Sequence, residues 1–377
     1  MKIKIQLVFA CLCLINGCKH IGSDNIQIED AEYIVVHPES YQDKIQYSQL
    51  FDTVRYVKLE TKDDILVASI AKIQFFKNNF YILDSKQNVL FVFSETGNFL
   101  RKIGEIGDGP GEYHRIADFD LNNDQIYLFD PNKNVLKYDL TGNYIENYPL
   151  RKMGTSIAVN DSFFYVSTCN FPSEEGNYQL LIMNDYGKSF CGGIPLKQEK
   201  LVGVCKAYET GNAFCAYNNE TRFFSPFSTT IHSITGDSVY AKYSIDFGDV
   251  NIPNDFFNNY TIDDLKDKPY AYGLNSFWEN DICFLSNLRV KGQFKNVCYF
   301  KEEKKIVIGD FYDDIAFCFP NLLTSNNDFA LGFRFADELH DEYGHAKEKR
   351  NNVMLKQITS EVTEDDNPVI FLYYFKK

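Results

Sequence analysis

Two stretches of the chain, FYILDSKQNVLFVFSETGNFL at 80–100 and IYLFDPNKNVLKYDLTGNYI at 126–145, are copies of one unit. Tyr81 matches Tyr127, Asp84 matches Asp130, and Asn88-Val89-Leu90 matches Asn134-Val135-Leu136, all at an offset of 46. A one-residue deletion then sets Thr96-Gly97-Asn98 on Thr141-Gly142-Asn143 at an offset of 45. A weaker third copy follows as FFYVST at 163–168 and YQLLIMNDYGKSF at 178–190, with Gly187 lying 45 residues beyond Gly142. Each unit reads as an aromatic or aliphatic strand, an Asp-led turn, a second strand, and a Thr/Asn/Asp-Gly hairpin into a third. A unit this small cannot bury its apolar face alone, and a period of roughly 40–50 residues is that of a propeller blade, a four-stranded antiparallel sheet repeated around an axis.

Three further units are traceable. The fourth runs over 202–248, the fifth from SFWENDICFLSNLR to Gly309, and the sixth holds DDIAFCFPNLL and DFALGFRFADEL. Residues 249–273 do not repeat and read as a loop or short helix inserted between units four and five. VRYVKLE at 54–60 and PVIFLYYFKK at 368–377 alternate as strands, and one of them is expected to complete the last blade. Closing the ring removes the sheet edges an open array would expose. The composition agrees: 33 Phe and 25 Tyr stand against one Trp, a balance that favours pleated, half-buried positions. The expected fold is therefore all-β, a six-bladed propeller of four-stranded antiparallel blades over 51–377.

KIGEIGDGPGEYHR, at 102–115, crowds Gly104, Gly107, Gly109, Pro110 and Gly111 between units one and two. A phosphate cradle would need a helix to open directly after the glycines. Ile116 to Leu121 instead alternates as a strand, so the segment reads as an inter-blade turn. In it Glu112 would accept backbone amides and Tyr113 would pack between blades. His114 and Arg115 serve neither turn nor core, and are candidate ligand contacts. On the repeat alignment Arg222 falls in blade four, Trp278 and Glu279 enter blade five, and Arg334 lies in blade six; Trp278 is a candidate stacking platform at the channel mouth.

The first residues, MKIKIQLVFACLCLINGC, carry Lys2 and Lys4, an apolar run from Ile5 to Ile15, and a glycine before Cys18. They read as a signal peptide over 1–17 with an apolar region too short to span a bilayer. Ile15-Asn16-Gly17-Cys18 resembles a relaxed bacterial lipobox, which implies cleavage before Cys18 and acylation of that cysteine. Acyl chains would then hold the domain on a membrane of the cell envelope, with 18–50 as tether and first strand region. The net charge of −14 leaves no basic stripe for nucleic acid. Beyond Cys18 there are seven cysteines. Most lie in apolar stretches, where they behave as small buried hydrophobes, and no C-x-x-C pair suggests zinc or redox chemistry.

The G-x-G-P-G-E-Y run at 107–113, preceded by FLRKIG, resembles the six-bladed β-propeller lipoproteins common in Bacteroidetes, relatives of the NHL-repeat propellers. LFDTVRYVKLET at 50–61 is similar to that family's first strand and turn, SVYAKYSIDFG to its fourth blade, and NPVIFLYYFK to its closing strand. The resemblance covers nearly the whole mature chain. It implies an envelope-anchored, monomeric binding or scaffold module for a glycan, a peptide or a partner protein. The alternative it implies is an NHL-like lyase or hydrolase with a metal held by histidines from several blades. Only His114 and His232 fall within blades, while HDEYGH at 340–345 reads as a solvated loop. No G-x-S-x-G nucleophile motif occurs. No cofactor is expected beyond a possible structural calcium at Asp263-Asp264, Asp313-Asp314 or Glu364-Asp365-Asp366, and these acidic runs read as solvated surface.

Overall fold

The computed structural model describes residues 31–37, 44–132, 134–150, 154–196, 201–202, 213–225, 227–290, 292–346 and 353–377. The signal peptide and Cys18 lie outside them. Six antiparallel sheets are arranged as a six-bladed β-propeller. Blade one is built from Lys72–Phe76, Asn79–Asp84, Val89–Ser94 and Phe99–Ile103, and blade two from Asp118–Asn122, Gln125–Asp130, Asn134–Asp139 and Tyr144–Tyr148. Blade three takes its strands from 156–195, blade four from 214–246 and blade five from 271–312.

The last blade takes strands from both ends of the chain. Its order is Asn321–Ser325, Phe329–Arg334, Val369–Phe375 and, outermost, Phe51–Lys58. Both terminal strands therefore close the ring, paired antiparallel from Val369 opposite Lys58 to Phe375 opposite Phe51. The segment before them also belongs to the fold. Glu32–Val35 adds a parallel strand outside blade four and Lys44–Gln46 one outside blade five, so this part of the expected tether straps the rim of two blades.

The period-2 side-chain alternation explains how a ring of sheets buries itself. In Asn79–Asp84 the residues Phe80 and Ile82 pack against Leu331, Phe333, Ile370 and Leu372 of blade six. Their neighbours Tyr81 and Leu83 point the other way, onto Phe119, Ile126 and Leu128 of blade two. Each middle strand is covered on both faces, so it reads as a nearly continuous apolar run; outer strands such as Phe99–Ile103 return to alternation. Burying each large side chain is worth roughly 1.5–3 kcal/mol.

Two helical excursions interrupt the ring. The insert before blade five forms Gly248–Val250, Phe256–Asn259 and Ile262–Asp267, packed through Phe256, Phe257, Ile262 and Leu265; its last residues, from Ala271, are already strand. A second pair of helices, Ala336–Ala346 and Val353–Glu361, lies between the second and third strands of blade six. HDEYGH is thus helical rather than a loop. The helix docks by Leu339 onto the blade-six core with Leu355 and Ile358, and His340 Nε2 lies 2.9 Å from the Val362 carbonyl oxygen. The polar letters of that stretch hide an anchor of one apolar residue per turn.

Candidate binding site at the axial cavity

The first strand of every blade faces the axis, and the loops that lead into it share one face of the disc, here called upper, with the loops between second and third strands. These loops are held by buried carboxylates that recur with the repeat. Asp84, fully buried, accepts hydrogen bonds from the amides of Ala68 (2.6 Å), Lys86 (2.9 Å) and Gln87 (3.0 Å) and from the Ser69 hydroxyl (2.6 Å). Burial pushes its carboxyl up, but the bonds from Ser69, Gln87 and Ala68 outweigh this and hold it below the ordinary range. Asp130, its counterpart one repeat later, accepts the amides of His114 (2.9 Å) and Asn132 (2.8 Å). In blade six Asp313 does the same, accepting the amides of Ala316, Cys318 and Phe319 and the Tyr373 hydroxyl. Asp313 is wholly buried, which corrects its reading as solvated surface.

The glycine-rich turn is similarly tied. Glu105–Ile106 pairs in parallel with Glu112–Tyr113, and the Glu112 carboxylate accepts the Gly109 amide at 2.7 Å. Gly111 has φ +78° and its carbonyl accepts the Tyr138 hydroxyl at 2.6 Å. Gly107 and Gly109 are crowded by a side chain instead: a Cβ on Gly107 would stand 2.0 Å from Glu112 Oε2, and one on Gly109 about 3.0 Å from the same carboxylate, so the exposed Glu112 would have to shift and give up its bond to the Gly109 amide. Tyr113 is buried and donates to the Asn88 carbonyl at 3.0 Å, with burial pushing its phenol up to about 12. Pro110 sits at the tip of this turn.

A cavity of about 1080 Å³ opens at the upper face, walled by blades one, two, three, five and six. Arg115 lines it, is exposed, and makes no ion pair among the described residues. The other cation in the wall, Lys72, is neutralised by Asp118 at 2.8 Å and also donates to the Phe119 carbonyl. Asp118 in turn accepts the Ser156 hydroxyl and, at 2.9 Å, the Ile157 amide; this carboxylate joins the inner strands of blades one, two and three.

The other sequence candidates divide between the two faces. His114 stays at the upper rim, exposed, with Nε2 2.7 Å from Asp108. Arg334 lies at the upper end of its strand, held to Glu338 at 3.1 Å and to the Phe319 carbonyl at 3.2 Å. Arg222, Trp278 and Glu279 are on the lower face, and they do not line the cavity. Trp278 is 3% exposed and packs near Phe375 in the core between blades five and six, so it offers no open face for stacking. It ends an inner strand rather than preceding one, which the repeat alignment misplaced. Arg222 and Glu279 meet in a buried network: Arg222 Nε donates to Glu279 at 2.6 Å, and Glu279 also holds Lys301 and the Tyr243 hydroxyl, each at 2.6 Å. Arg222 further donates to Glu220 and Ser233.

His232 is buried in blade four, apart from His114. No group of three His, Cys, Asp or Glu among the described residues is arranged to hold a metal. Cys283, Cys298 and Cys318 are free and buried, as their apolar settings suggested. Cys169 departs from that reading: it is disulfide-bonded, in the blade-three loop that leads to Phe171 of the cavity wall. The signals that could have revealed Asp118 and Asp313 were present, since an Asp opens or closes an apolar strand in both places, but a single buried carboxylate looks like a surface one until its amide partners are known.

The molecule is a six-bladed β-propeller with a walled cavity at one end of its axis. It belongs to the DUF4934 family, a domain of unknown function, whose model matches residues 27–374. None of the curated proteins is detectably similar in sequence. Among solved structures, a Bacteroides fragilis protein assigned as exported superposes with a TM-score of 0.75 at 20% identity, over 92% of this chain and 99% of that one. A DUF4221 family member from Bacteroides vulgatus superposes with a TM-score of 0.50 at 10% identity, over 87% of this chain and 98% of that one. No helix among the described residues is long and apolar enough to cross a membrane.

Proposed function

We propose that the chain is an NHL-like propeller lipoprotein, exported and anchored at Cys18, that acts as a non-enzymatic binding or scaffold module at the cell envelope. Its ligand, a glycan, peptide or partner protein, would seat at the upper mouth of the axial cavity. The observation that carries this reading is the exposed Arg115, without an ion pair among the described residues, in the wall of a cavity whose loops are fixed by buried carboxylates, because rigid walls with few convergent polar groups are what ligand sites require. A disulfide at Cys169 suits an oxidising compartment, and the similar Bacteroides fragilis fold is assigned as exported. An array of glycans and peptides tests the binding role. Arg115→Ala should weaken whatever signal the wild type gives without moving the melting temperature; an array silent for well-folded wild type overturns it. For the anchor, Cys18→Ala should move the protein from the membrane to the soluble fraction, and a variant that stays membrane-bound without accumulating unprocessed chain overturns that part.

A further inference from the structure

We infer that the cavity takes a carboxylate-bearing saccharide, an inference that rests on the cavity being the binding site. Charge comes first. Lys72 and Asp118 cancel, and Asp310, exposed at the wall, faces Lys295 at 3.4 Å. Arg115 is left as the uncompensated charge of the wall among the described residues. In a chain of net charge −14, a free guanidinium in a recess selects an anion at short range, and its planar fork matches a carboxylate with two parallel bonds.

The remaining wall is neutral and matches hydroxyls and C–H faces. Asn287, Asn296 and Asn321 bring amides to it. Asn287 Oδ1 is buried with no hydrogen-bond partner among the described residues, an unfilled acceptor whose cost a ligand donor reaching that amide would relieve. Phe171, Phe311 and Phe319, each half-buried, present apolar ring surface beside these amides, the pairing that a sugar ring with one polar edge and one apolar face needs.

The backbone holds these groups in positions it would not adopt unaided. Phe319 has φ +48° and Ser276, also in the wall, φ +49°. A bulky or ordinary residue resists that region, and such strain gathers where surrounding structure over-determines a site. Asp313 supplies the restraint at Phe319 through its bonds to the loop amides. An acidic peptide would also meet Arg115 and would bring backbone N–H donors to the amides; what favours the saccharide is the three phenyl rings set beside the three amides in one wall.

The test uses the full chain in detergent, with three probes: trigalacturonic acid, its fully methyl-esterified form, and an Asp/Glu-rich peptide. The acid should bind at least tenfold tighter than its ester. Arg115→Ala should remove that preference at unchanged melting temperature, and Arg115→Lys should keep part of it. Asn287→Ala should weaken acid and ester by a similar factor. Equal binding of acid and ester, an unaffected Arg115→Ala, or a preference for the peptide overturns the acidic-saccharide inference and leaves the cavity as a binding site of other specificity. If none of the three binds, the inference also fails, and only silence across the wider glycan and peptide array brings down the binding role itself.

Discussion

Asp84 shows how much of this fold is decided by single buried charges. A carboxylate taken out of water is tolerable only when its lone pairs are filled, and Asp84 fills them with amides and a hydroxyl from its own rim loop. Asp84→Asn keeps the shape and loses the charge, so it should cost about 1.5–3 kcal/mol near neutral pH. The pH dependence has a definite sign. The folded-state pKa lies below the unfolded one, so the stability it contributes is present above about pH 4 and is lost as the pH falls through the lower folded value. Melting curves of wild type and Asp84→Asn should accordingly converge as the pH drops below about 4; a constant gap would mean that the charge is not the source. The lower-face network makes a second residue-scale case. Glu279 is buried against Arg222 and Lys301, and removing one member of a buried ion pair strands the others. Glu279→Ala should therefore lower stability by about 3–5 kcal/mol in a denaturant titration, whereas a loss below 1 kcal/mol would show that water replaces the carboxylate readily. No change in ligand affinity beyond that from unfolding is expected, because the network lies away from the cavity.

Among the elements, the inter-blade turn separates conformational from steric demands on glycine. Gly111→Ala must hold a side chain at φ +78° with its Cβ 2.7 Å from Tyr144, a cost of at least about 1–2 kcal/mol. Gly107→Ala should also destabilise, but through the Glu112 carboxylate, so Glu112→Ala should rescue Gly107→Ala in part and Gly111→Ala not at all. Thermal melting of the four variants decides this, and equal rescue of both would remove the distinction. Much of this element level was legible in the sequence, because the Asp-led and Gly-led turns repeat every 46 or 45 residues and a strand buried on both faces announces itself as an apolar run. What was not legible has physical reasons too. The strands Glu32–Val35 and Lys44–Gln46 pair in parallel at a blade's outer edge, where one neighbour suffices and no strong pattern is imposed. Helix Ala336–Ala346 has so many polar residues that Ala336, Leu339 and Tyr343, one apolar side chain per turn, could not mark its buried side. Trp278 was placed at a rim because the degenerate fifth unit hides where its inner strand begins; that strand runs from Ala271 to Glu279, and Trp278 stands at its far end. Arg115 is a candidate in the sequence because nothing in a turn or core needs a guanidinium there, a reason independent of the repeat, and in the structure it lines the cavity. Asn287 and Phe319 line the same cavity without a sequence signal, because an unfilled acceptor and a strained backbone leave no letter in the sequence.

At the scale of the whole molecule, six blades form one cooperative unit because the core clusters of the ring lie between neighbouring blades, and only the cluster of the helical insert stands apart among the described residues. Blade six is where that unit can be opened. Val369–Phe375 sits in its middle, pairing with Phe329–Arg334 on one side and Phe51–Lys58 on the other. Its residues Ile370 and Leu372 pack towards blade one while Val369, Phe371 and Tyr373 pack towards blade five. Truncation after Asn367 would remove this strand, leave Phe51–Lys58 without a partner, strip apolar cover from two neighbours at once, and release Asp313 from the Tyr373 hydroxyl. The loss exceeds the roughly 5–15 kcal/mol that holds a domain folded, so the truncated chain should show no cooperative melting. By contrast, removing residues up to 46 takes away, among the described residues, the two outer-edge strands and their flanks, and the ring should still melt in a single transition at a lower temperature. Adding back a peptide of residues 368–377 should restore cooperative melting to the truncated chain, since the vacated slot offers two strand edges and a preformed apolar bed. A truncated chain that melts cooperatively by itself would mean that the ring is held by its blades individually, and that the closing strand is an accessory.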